Sequence, residues 1–271
     1  MTPVHVLTIA GSDPSGGAGI QADLKTFSAL GAYGCAVLTS LTAQSTRGVT
    51  GIHPVPAAFV REQVETLVDD VRLDAVKIGM LGTAEVVEVV ADLVRDVLRC
   101  PVVLDPVMVS TAGSRLLDRD AVEAMRSLAQ LADAVTPNLA EAAVLLGRDE
   151  QDPTGAVTVE SMHEQTRALR GLGVPRVLLK GGHGGGPESV DLWAEGDAVH
   201  ELHAPRIDTA NTHGTGCTLS SAVAALVPQR GTWLESVTAA KAYLTGTVEH
   251  ADELSVGHGP GPVHHFWERW G

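Results

Sequence analysis

The sequence predicts an α/β fold of three layers, in which a mostly parallel central sheet carries helices on both faces. Short runs rich in β-branched residues alternate with amphipathic stretches, and the connections between them are brief. Strands that alternate with helices in this way form parallel sheets that are covered on both sides. A length of 271 residues with 44% hydrophobic content suffices for one large core. We therefore predict a single domain over residues 1–271.

The alternation continues from the first strand to a late hairpin. The predicted strands are VHVLTIAG, CAVLTSLTAQ, AVKIGM, PVVLDPVMV, AVTPN and VPRVLLKGG. Helices follow the first five, one from about Ile20 and the others over about 59–71, 83–97, 118–131 and 139–146. The sixth strand leads into a predicted hairpin of SVDLWAEG and AVHELHA.

Ligands on parallel sheets bind beyond the carboxyl ends of the strands. The residues that follow each predicted strand are therefore the candidates for a functional site. They are 11–19, Gln44 and Ser45, 79–82, 105–107, Pro137 and Asn138, and 180–184.

Composition excludes several classes of function. A formal charge of −14 with 3% aromatic residues argues against a nucleic-acid surface, which needs clustered Lys and Arg and stacking rings. No apolar run is long enough to cross a bilayer and no basic, apolar leader opens the chain, so we expect a cytoplasmic protein without a membrane partner. The three cysteines, Cys35, Cys100 and Cys217, are far apart and odd in number, which disfavours a disulfide or zinc framework.

The segment NTHGTGC at residues 211–217 precedes a stretch of small and apolar residues that is typical of a buried helix. Glycines on both sides of Thr215 let the backbone approach a ligand closely, and the first N–H groups of a helix point out of its positive end unpaired. Because Cys217 lies in the first turn, the helix field is expected to lower the pKa of its thiol. The segment predicts a phosphoryl-binding cradle; the alternative is a glycine-rich turn before a core helix with an inert cysteine.

A second glycine-rich loop, residues 11–19, follows the first predicted strand. A Walker loop from Gly11 needs a lysine where this chain has Gly17, and a G-x-G-x-x-A spacing finds no acidic residue between Asp23 and Glu62 to bind a ribose hydroxyl. The loop instead predicts a close backbone approach to a small ligand, with Asp23 projecting from the next helix. The alternative is tight packing of helix on strand, with Asp23 as a partner of the helix dipole.

Seven segments, taken together and in order, carry a family resemblance. They are TIAGSDPSGGAGIQADLKTF, TSLTAQ, KIGML, DPVMV, TPNLAEA, LLKGGH and NTHGTGCTLSSA. In these segments the chain resembles the hydroxymethylpyrimidine and phosphomethylpyrimidine kinases of thiamine biosynthesis, within the ribokinase-like superfamily. The resemblance covers nearly the whole chain. It implies a ribokinase-like fold, ATP and Mg²⁺ as cofactors, and a homodimer.

The resemblance also implies the reaction and the residues that bind its substrate. The γ-phosphoryl group of MgATP passes to 4-amino-5-hydroxymethyl-2-methylpyrimidine, and a second one passes to the resulting monophosphate. Gln44 matches the residue that binds the aminopyrimidine, since its amide both donates and accepts. Asp23 and Gly11 match polar and backbone contacts, and Met80 and Val107 match apolar walls. The alternatives are a structural amide at Gln44 and ordinary core packing at Met80 and Val107.

Asp105 and Glu141 match positions that suit Mg²⁺ held through water beside phosphates. The alternative for Glu141 and Asn138 is a helix-capping role. Lys180, Asn138 and Thr215 match the residues that bind ATP. The alternative for Lys180 is a side chain that extends into solvent.

Cys217 matches the position of the base that acts on the acceptor hydroxyl. Gly214, Thr215 and Gly216 then complete the catalytic cradle, whose N–H groups stabilise charge on the transferring phosphoryl group. A thiolate takes the proton of a primary alcohol poorly, so we expect Cys217 to act by orientation and late proton transfer. The second acceptor is a phosphate that is already ionised and needs little base.

Two other functions stay open at this point. Close relatives phosphorylate pyridoxal, and some of them carry a cysteine where this chain has Ser110, which favours the pyrimidine here. Residues 110–114 are a candidate lid, with an ordinary surface loop as the alternative. A non-catalytic sensor of the pyrimidine phosphate is the other function. His264 and His265, in a Pro/Gly-rich tail, are predicted to be surface residues.

Overall fold

The computed structural model describes residues 2–108, 121–148, 158–182 and 186–270. Ten strands lie in these ranges: β1 His5–Ala10, β2 Tyr33–Leu38, β3 Ser40–Ser45, β4 Gly48–Pro54, β5 Ala75–Ile78, β6 Val102–Leu104, β7 Ala134–Val135, β8 Arg176–Leu179, β9 Glu188–Glu195 and β10 Ala198–Pro205. Eight of them form one sheet in the order β10-β9-β8-β7-β6-β5-β1-β2. All of its pairings from β2 to β8 are parallel, and β9 is antiparallel to both of its neighbours. The predicted mostly parallel sheet and the predicted late hairpin are both confirmed.

Helices cover both faces of this sheet, as predicted. The described helices are α1 Gly19–Ala29, α2 Ala57–Asp70, α3 Ala84–Asp96, α4 Val122–Leu131, α5 Leu139–Leu145, α6 Val159–Gly171, α7 Thr215–Leu226 and α8 Trp233–Glu249. Helices α1, α7 and α8 pack on one face, and α2 to α6 pack on the other. None of the described helices is long and apolar enough to span a membrane.

Side chains alternate along the strands between the two cores. In β1, Leu7 and Ile9 join the core under α2 to α6, whereas Val6 joins the core under α7 and α8. In β8, Leu178 faces the α7 side, between Val177 and Leu179 on the other side. Because both faces of each strand are buried, these strands appear in the sequence as continuous apolar runs.

The prediction of one strand over CAVLTSLTAQ is wrong, because the structure divides this segment between β2 and β3. The chain leaves the main sheet at Thr39, whose N–H donates to the Ala10 carbonyl at 3.0 Å. Strand β3 then pairs with β4 in a separate two-stranded sheet, with an irregularity between Ala43 and Gln44. The run of β-branched residues continues through the bend, so periodicity does not reveal it.

Local sequence explains where several helices begin. Thr83 caps α3 by accepting a hydrogen bond from the Val86 N–H at 3.3 Å. Asn138 and Glu141 form a reciprocal capping box at the start of α5. The prediction included neither α8 nor α6. Helix α6 is largely polar and buries only one face, including Met162 and Leu169.

Candidate active site

Helix α7 begins at Thr215, directly after Gly214, as the glycine pattern predicts. Gly214 has a φ of +83°, and a Cβ at this position would collide with the carbonyl group of Gly17. Only glycine therefore fits this turn without strain. The first N–H groups of α7 have no carbonyl partners within the helix and form a positive end that attracts anions. The cradle has the required backbone form, and its binding of phosphate stays a prediction.

Three charged side chains lie together beside this cradle. We call Asp105, Glu141 and Lys180 the cradle cluster. Lys180 Nζ is 2.9 Å from Asp105 Oδ1 and 3.8 Å from Glu141 Oε2. A Cβ at Gly216 would lie 3.3 Å from Lys180 Nζ, so the lysine borders the first turn of α7. Lys180 therefore does not extend into bulk solvent, which was the alternative to a ligand contact.

The charges of the cradle cluster alter one another. Burial alone would raise the pKa of Asp105, but Lys180 and then Lys77 hold it below its ordinary value. Burial raises the pKa of Glu141 to about 7, with Lys180 lowering it and Asp105 raising it. Burial alone would lower the pKa of Lys180, but Asp105 and Glu141 raise it above its ordinary value. The cluster carries two acidic groups and one lysine, so it can accept a further positive charge.

The donor atoms of the cradle cluster fit Mg²⁺, which prefers carboxylate oxygens and keeps several waters beside phosphates. Asp105 is 1% exposed and Glu141 is 7% exposed, so both have lost most of their hydration. Within the described residues no group of three or more His, Cys, Asp or Glu side chains is poised to hold a metal ion. The two carboxylates would therefore share the ion with water and substrate phosphates, and this role stays a prediction.

A second lysine and carboxylate, Lys77 and Asp23, form what we call the buried pair. Lys77 Nζ is 2.9 Å from both oxygens of Asp23, and neither side chain is exposed. Asp23 also accepts hydrogen bonds from Thr8 at 2.6 Å and from Ser221 of α7 at 2.7 Å. Asp23 thus has no exposed surface for the predicted substrate contact, which stays untested. The sequence prediction did not include Lys77.

Cys217 lies in the first turn of α7, as predicted, but its thiol is not acidic. Burial raises the pKa of Cys217 to about 11, although nearby Lys77 lowers it. The expectation of a lowered thiol pKa is therefore wrong, because loss of hydration outweighs the field of the helix N-terminus. The side chain is half-buried, and the raised pKa favours the protonated thiol at neutral pH.

The residues predicted to bind the pyrimidine substrate lie at the ends of β1, β3 and β5. A Cβ at Gly11 would collide with Met80 and would lie 2.7 Å from Ser40 Oγ, so these three residues pack together. Ser40 is 3% exposed, and its hydroxyl has no hydrogen-bond partner among the described residues. Gln44 is half-buried, and its Oε1 lies 3.2 Å from Thr42 Oγ1. The sequence prediction did not name Ser40 among the site residues, although Ser40 lies within the quoted motif TSLTAQ.

Val107 and Asn138 follow β6 and β7 at the same edge of the sheet. The Val107 N–H donates to the Asp105 carbonyl at 2.8 Å, and the Val107 side chain is half-buried. The Asn138 side chain caps α5 by accepting from the Glu141 N–H at 2.9 Å, which is the structural alternative raised for it. ATP binding by Asn138 stays a prediction beside this capping role.

The glycine-rich loop is joined to the cradle by a partly buried contact. His213 Nε2 lies 2.8 Å from Asp13 Oδ2, and Asp13 also accepts hydrogen bonds from the Ser15 and Ala18 N–H groups. Burial alone would raise the pKa of Asp13, but its hydrogen bonds to His213 and Ser15 lower it. The two glycine segments that were predicted separately are therefore in direct contact.

Two predictions about other segments have different outcomes. The candidate lid at Ser110 and residues 111–114 lies outside the described residues. The surface location predicted for His264 and His265 is wrong, because they are 5% and 4% exposed. His265 Nε2 lies 3.0 Å from Thr218 Oγ1 of α7, which explains its burial.

Comparison with known proteins decides the family. A family profile described as phosphomethylpyrimidine kinase matches residues 13–264. The chain belongs to the phosphomethylpyrimidine kinase family. This kinase is 49% identical over 271 residues to the hydroxymethylpyrimidine/phosphomethylpyrimidine kinase of Escherichia coli strain K12, with 100% of each chain covered.

Solved structures of related kinases share the fold. Pyridoxal kinase from Staphylococcus aureus, in complex with AMP-PCP and pyridoxal, superposes on this structure with a TM-score of 0.88 and 31% sequence identity. The match covers 100% of this chain and 96% of the pyridoxal kinase chain. Phosphomethylpyrimidine kinase from Clostridium difficile 630 has a TM-score of 0.77 and 36% identity, over 90% of this chain and 98% of its own. The predicted family, fold class and enzymatic nature are confirmed, and the non-catalytic sensor is set aside.

Proposed function

We propose that this kinase transfers the γ-phosphoryl group of MgATP to the hydroxymethyl group of 4-amino-5-hydroxymethyl-2-methylpyrimidine, and then phosphorylates the monophosphate to the diphosphate. Both steps use one site and supply a pyrimidine precursor of thiamine. The observation that carries the proposal is the position of Lys180, 2.9 Å from Asp105 and next to Gly216 in the first turn of α7. A phosphoryl group at this turn meets N–H donors on one side and an ammonium group on another.

The proposed roles of the cradle residues follow from their charges. The N–H groups of Thr215, Gly216 and Cys217 stabilise charge that develops on the transferring phosphoryl group, and Lys180 neutralises charge on the nucleotide. Asp105 and Glu141 hold Mg²⁺, which when bound neutralises phosphate charge. Because Lys180 is held by the two carboxylates, its ammonium group needs little reorganisation when the nucleotide binds.

Substrate binding is assigned to the residues at the ends of β1, β3 and β5. Gln44 donates to and accepts from the aminopyrimidine, and the Gly11 backbone approaches the ring edge. Met80 and Val107 supply apolar contacts to its faces. Asp23, as part of the buried pair, fixes α1 and α7 relative to the substrate.

Cys217 is proposed to orient the acceptor rather than to ionise it in advance. The raised pKa of Cys217, about 11, favours the protonated thiol at neutral pH, which cannot take up a further proton. The proton of the acceptor hydroxyl therefore leaves late, after bonding to phosphorus has begun, and passes to an oxygen of the transferred phosphoryl group. We expect Cys217→Ala to lower kcat for the alcohol substrate only roughly tenfold, less than the loss of a general base typically costs, and to affect the phosphate substrate less. Steady-state kinetics with each acceptor test this, and full activity on both would refute it.

We also propose that the kinase is a cytoplasmic homodimer, as the family resemblance implies. Sedimentation velocity at micromolar concentration tests the dimer. A mass close to 28.2 kDa would refute it, because that is the mass of one chain.

The experiment that tests the proposed function is product analysis by mass spectrometry with ATP and three separate acceptors. Hydroxymethylpyrimidine is expected to give a monophosphate and then a diphosphate, and its monophosphate is expected to give the diphosphate. Turnover of pyridoxal alone would instead assign the chain to the activity named for the Staphylococcus aureus structure. Absence of any product would contradict the proposed function.

A further inference from the structure

The chain that follows α8 contains an irregular segment, which we call the strap and define as residues 257–262. It lies outside the described helices and strands. Its first part is largely exposed, and it ends in the buried residues Gly261 and Pro262. The strap contacts two parts of the site that are far apart in sequence, the turn of the β3–β4 hairpin and the residues just before α7.

At the hairpin, the strap is held by one threonine hydroxyl. Thr46 Oγ1 accepts hydrogen bonds from the N–H groups of His258 at 3.2 Å and Gly259 at 3.1 Å. A Cβ at Gly259 would collide with the Thr46 carbonyl, and one at Gly257 would collide with the Thr46 side chain. The two backbones are therefore closer than any other residue at these glycine positions allows.

At the other end, the strap is held by the residues that lead into the cradle. The Gly261 N–H donates to Asn211 Oδ1 at 2.7 Å, and the Gly261 carbonyl accepts from the His213 N–H at 3.1 Å. Asn211 is itself fixed, because its Nδ2 donates to Asp252 Oδ1 at 2.7 Å. His213 directly precedes Gly214, so these bonds reach the first turn of α7.

The hairpin needs such a support because it is not part of the main sheet. Near its base, Thr42 Oγ1 donates to the Ser12 carbonyl at 2.8 Å. In the part of the chain that the structure describes, the hydrogen bonds that join the turn at residues 45–48 to other elements go to the strap. Gln44, the proposed substrate-binding residue, lies two positions before Thr46.

We infer that Thr46 is a positioning residue for the phosphoryl transfer: through the strap it fixes the Gln44 end of the acceptor site relative to the cradle at α7. The inference rests on the proposed function. Thr46 need not touch either substrate. It restrains the angle between two substrate-binding elements, and small displacements of an acceptor lower transfer rates strongly.

The test compares three variants in steady-state kinetics with hydroxymethylpyrimidine and ATP. Thr46→Val keeps the side-chain shape and removes the acceptor for two N–H groups. We expect kcat/KM for the pyrimidine to fall roughly five- to tenfold, the effect of losing one to two ordinary hydrogen bonds, with the KM for ATP unchanged. Thr46→Ser keeps the hydroxyl and is expected to stay within about twofold of the wild type.

The matched control is Thr50→Val. Thr50 Oγ1 donates within the hairpin, to the Ala43 carbonyl at 3.1 Å, so this variant loses a hydroxyl without loss of a strap contact. Equal effects of Thr46→Val and Thr50→Val would overturn the inference. A lowered melting temperature in Thr46→Val with unchanged kinetics would also overturn it, since the role would then be structural.

Hydrogen–deuterium exchange separates this inference from the proposed function. Without any substrate, Thr46→Val is expected to exchange faster than the wild type at residues 45–48 and 257–262, and Thr50→Val is not. Unchanged exchange in Thr46→Val would overturn the inference whatever the kinase turns over. Faster exchange in a protein without kinase activity would support the strap contact and refute the proposed function alone.

Discussion

Two lysine–carboxylate groups flank the start of α7, and they differ in how completely they are closed. In the buried pair, the side chains of Lys77 and Asp23 are 0% exposed, and Lys77 Nζ contacts both carboxylate oxygens of Asp23. In the cradle cluster, the Lys180 side chain is 14% exposed and faces two carboxylates. One group is neutral and complete. The other holds a surplus acidic group beside a lysine that is partly exposed.

Neighbouring serines of α7 connect the helix to each group. Ser221 donates to Asp23 Oδ1 at 2.7 Å, and Ser220 donates to Asp105 Oδ2 at 3.2 Å. Their positions lie four residues after Cys217 and Gly216, so each serine is on the same side of the helix as one cradle residue. Similar ion pairs can therefore serve different purposes: the buried pair holds α7 in place, and the cradle cluster is the one proposed to contact the substrate.

The largest expected effect comes from Lys77→Met. The variant leaves Asp23 as an unpaired charge in the core, so we expect the free energy of unfolding to fall by about 3–5 kcal/mol. Denaturant titration followed by circular dichroism measures it. The double variant Lys77→Met with Asp23→Asn removes both charges and is expected to recover a large part of the loss. If Lys77→Met unfolds like the wild type, the buried pair does not fix the fold.

Lys180→Gln is expected to change activity far more than stability. Glutamine can still donate to Asp105, but the positive charge beside the cradle is lost, so we expect kcat to fall about 100- to 1000-fold. The matched control is Lys241→Gln, which alters another buried lysine, 2.6 Å from Asp191 and on α8. Similar kcat values for the two variants would contradict the role of Lys180.

The surplus carboxylate of the cradle cluster predicts a metal-dependent effect. We expect Glu141→Gln to raise the Mg²⁺ concentration at half-maximal rate roughly tenfold, because one hard anionic donor is lost. Titration of the rate with Mg²⁺ at fixed ATP measures this shift. The control is Glu195→Gln at the far end of β8 and β9, where Arg176 Nε lies 2.6 Å from Glu195 Oε1. An unchanged Mg²⁺ response in Glu141→Gln would remove Glu141 from the metal site.

The smallest expected effect is on the pH dependence of stability and comes from His265. Unlike the buried pair and the cradle cluster, His265 is a buried histidine that the fold keeps uncharged. Burial, together with Lys25 and His264, lowers the pKa of His265 from 6.5 to about 3. Below about pH 6.5 the unfolded chain therefore binds a proton that the folded chain does not. As the pH is lowered from about 6.5 to about 3, the free energy of unfolding decreases by up to about 1.4 kcal/mol per pH unit.

The comparison for His265 is His265→Gln, which can keep the hydrogen bond to Thr218. Denaturant titrations of both proteins at pH 7.5 and 5.5 measure the difference. The wild type is expected to lose about 1 kcal/mol more than the variant over this range. Equal losses would show that His265 is not held neutral in the fold.

Most of the order of strands and helices could be predicted from sequence because it depends on local periodicity, although α6 and α8 were not predicted. Strands β1, β5 and β6 and helices α3 and α7 follow their patterns closely. The separate β3–β4 sheet could not be predicted, since its bend at Thr39 depends on hydrogen bonds to Ala10 and to Val55. Distant partners, not local sequence, decide that bend.

The same distinction holds for the site. The cradle, Asp105 and Lys180 follow from strand ends and glycine positions. Lys77 was missed because lysine is rarely buried, and its partner Asp23 is 54 residues away in sequence. The wrong pKa expectation for Cys217 has a related cause, since burial by distant elements outweighs the local helix field.

We propose that one site beside α7 carries out both phosphorylations. Inhibition of monophosphate phosphorylation by hydroxymethylpyrimidine at saturating MgATP, with the diphosphate as the measured product, tests this proposal. We expect competitive inhibition, with an inhibition constant equal to the KM of hydroxymethylpyrimidine as a substrate. Non-competitive inhibition, or none at concentrations well above that KM, would contradict a single site.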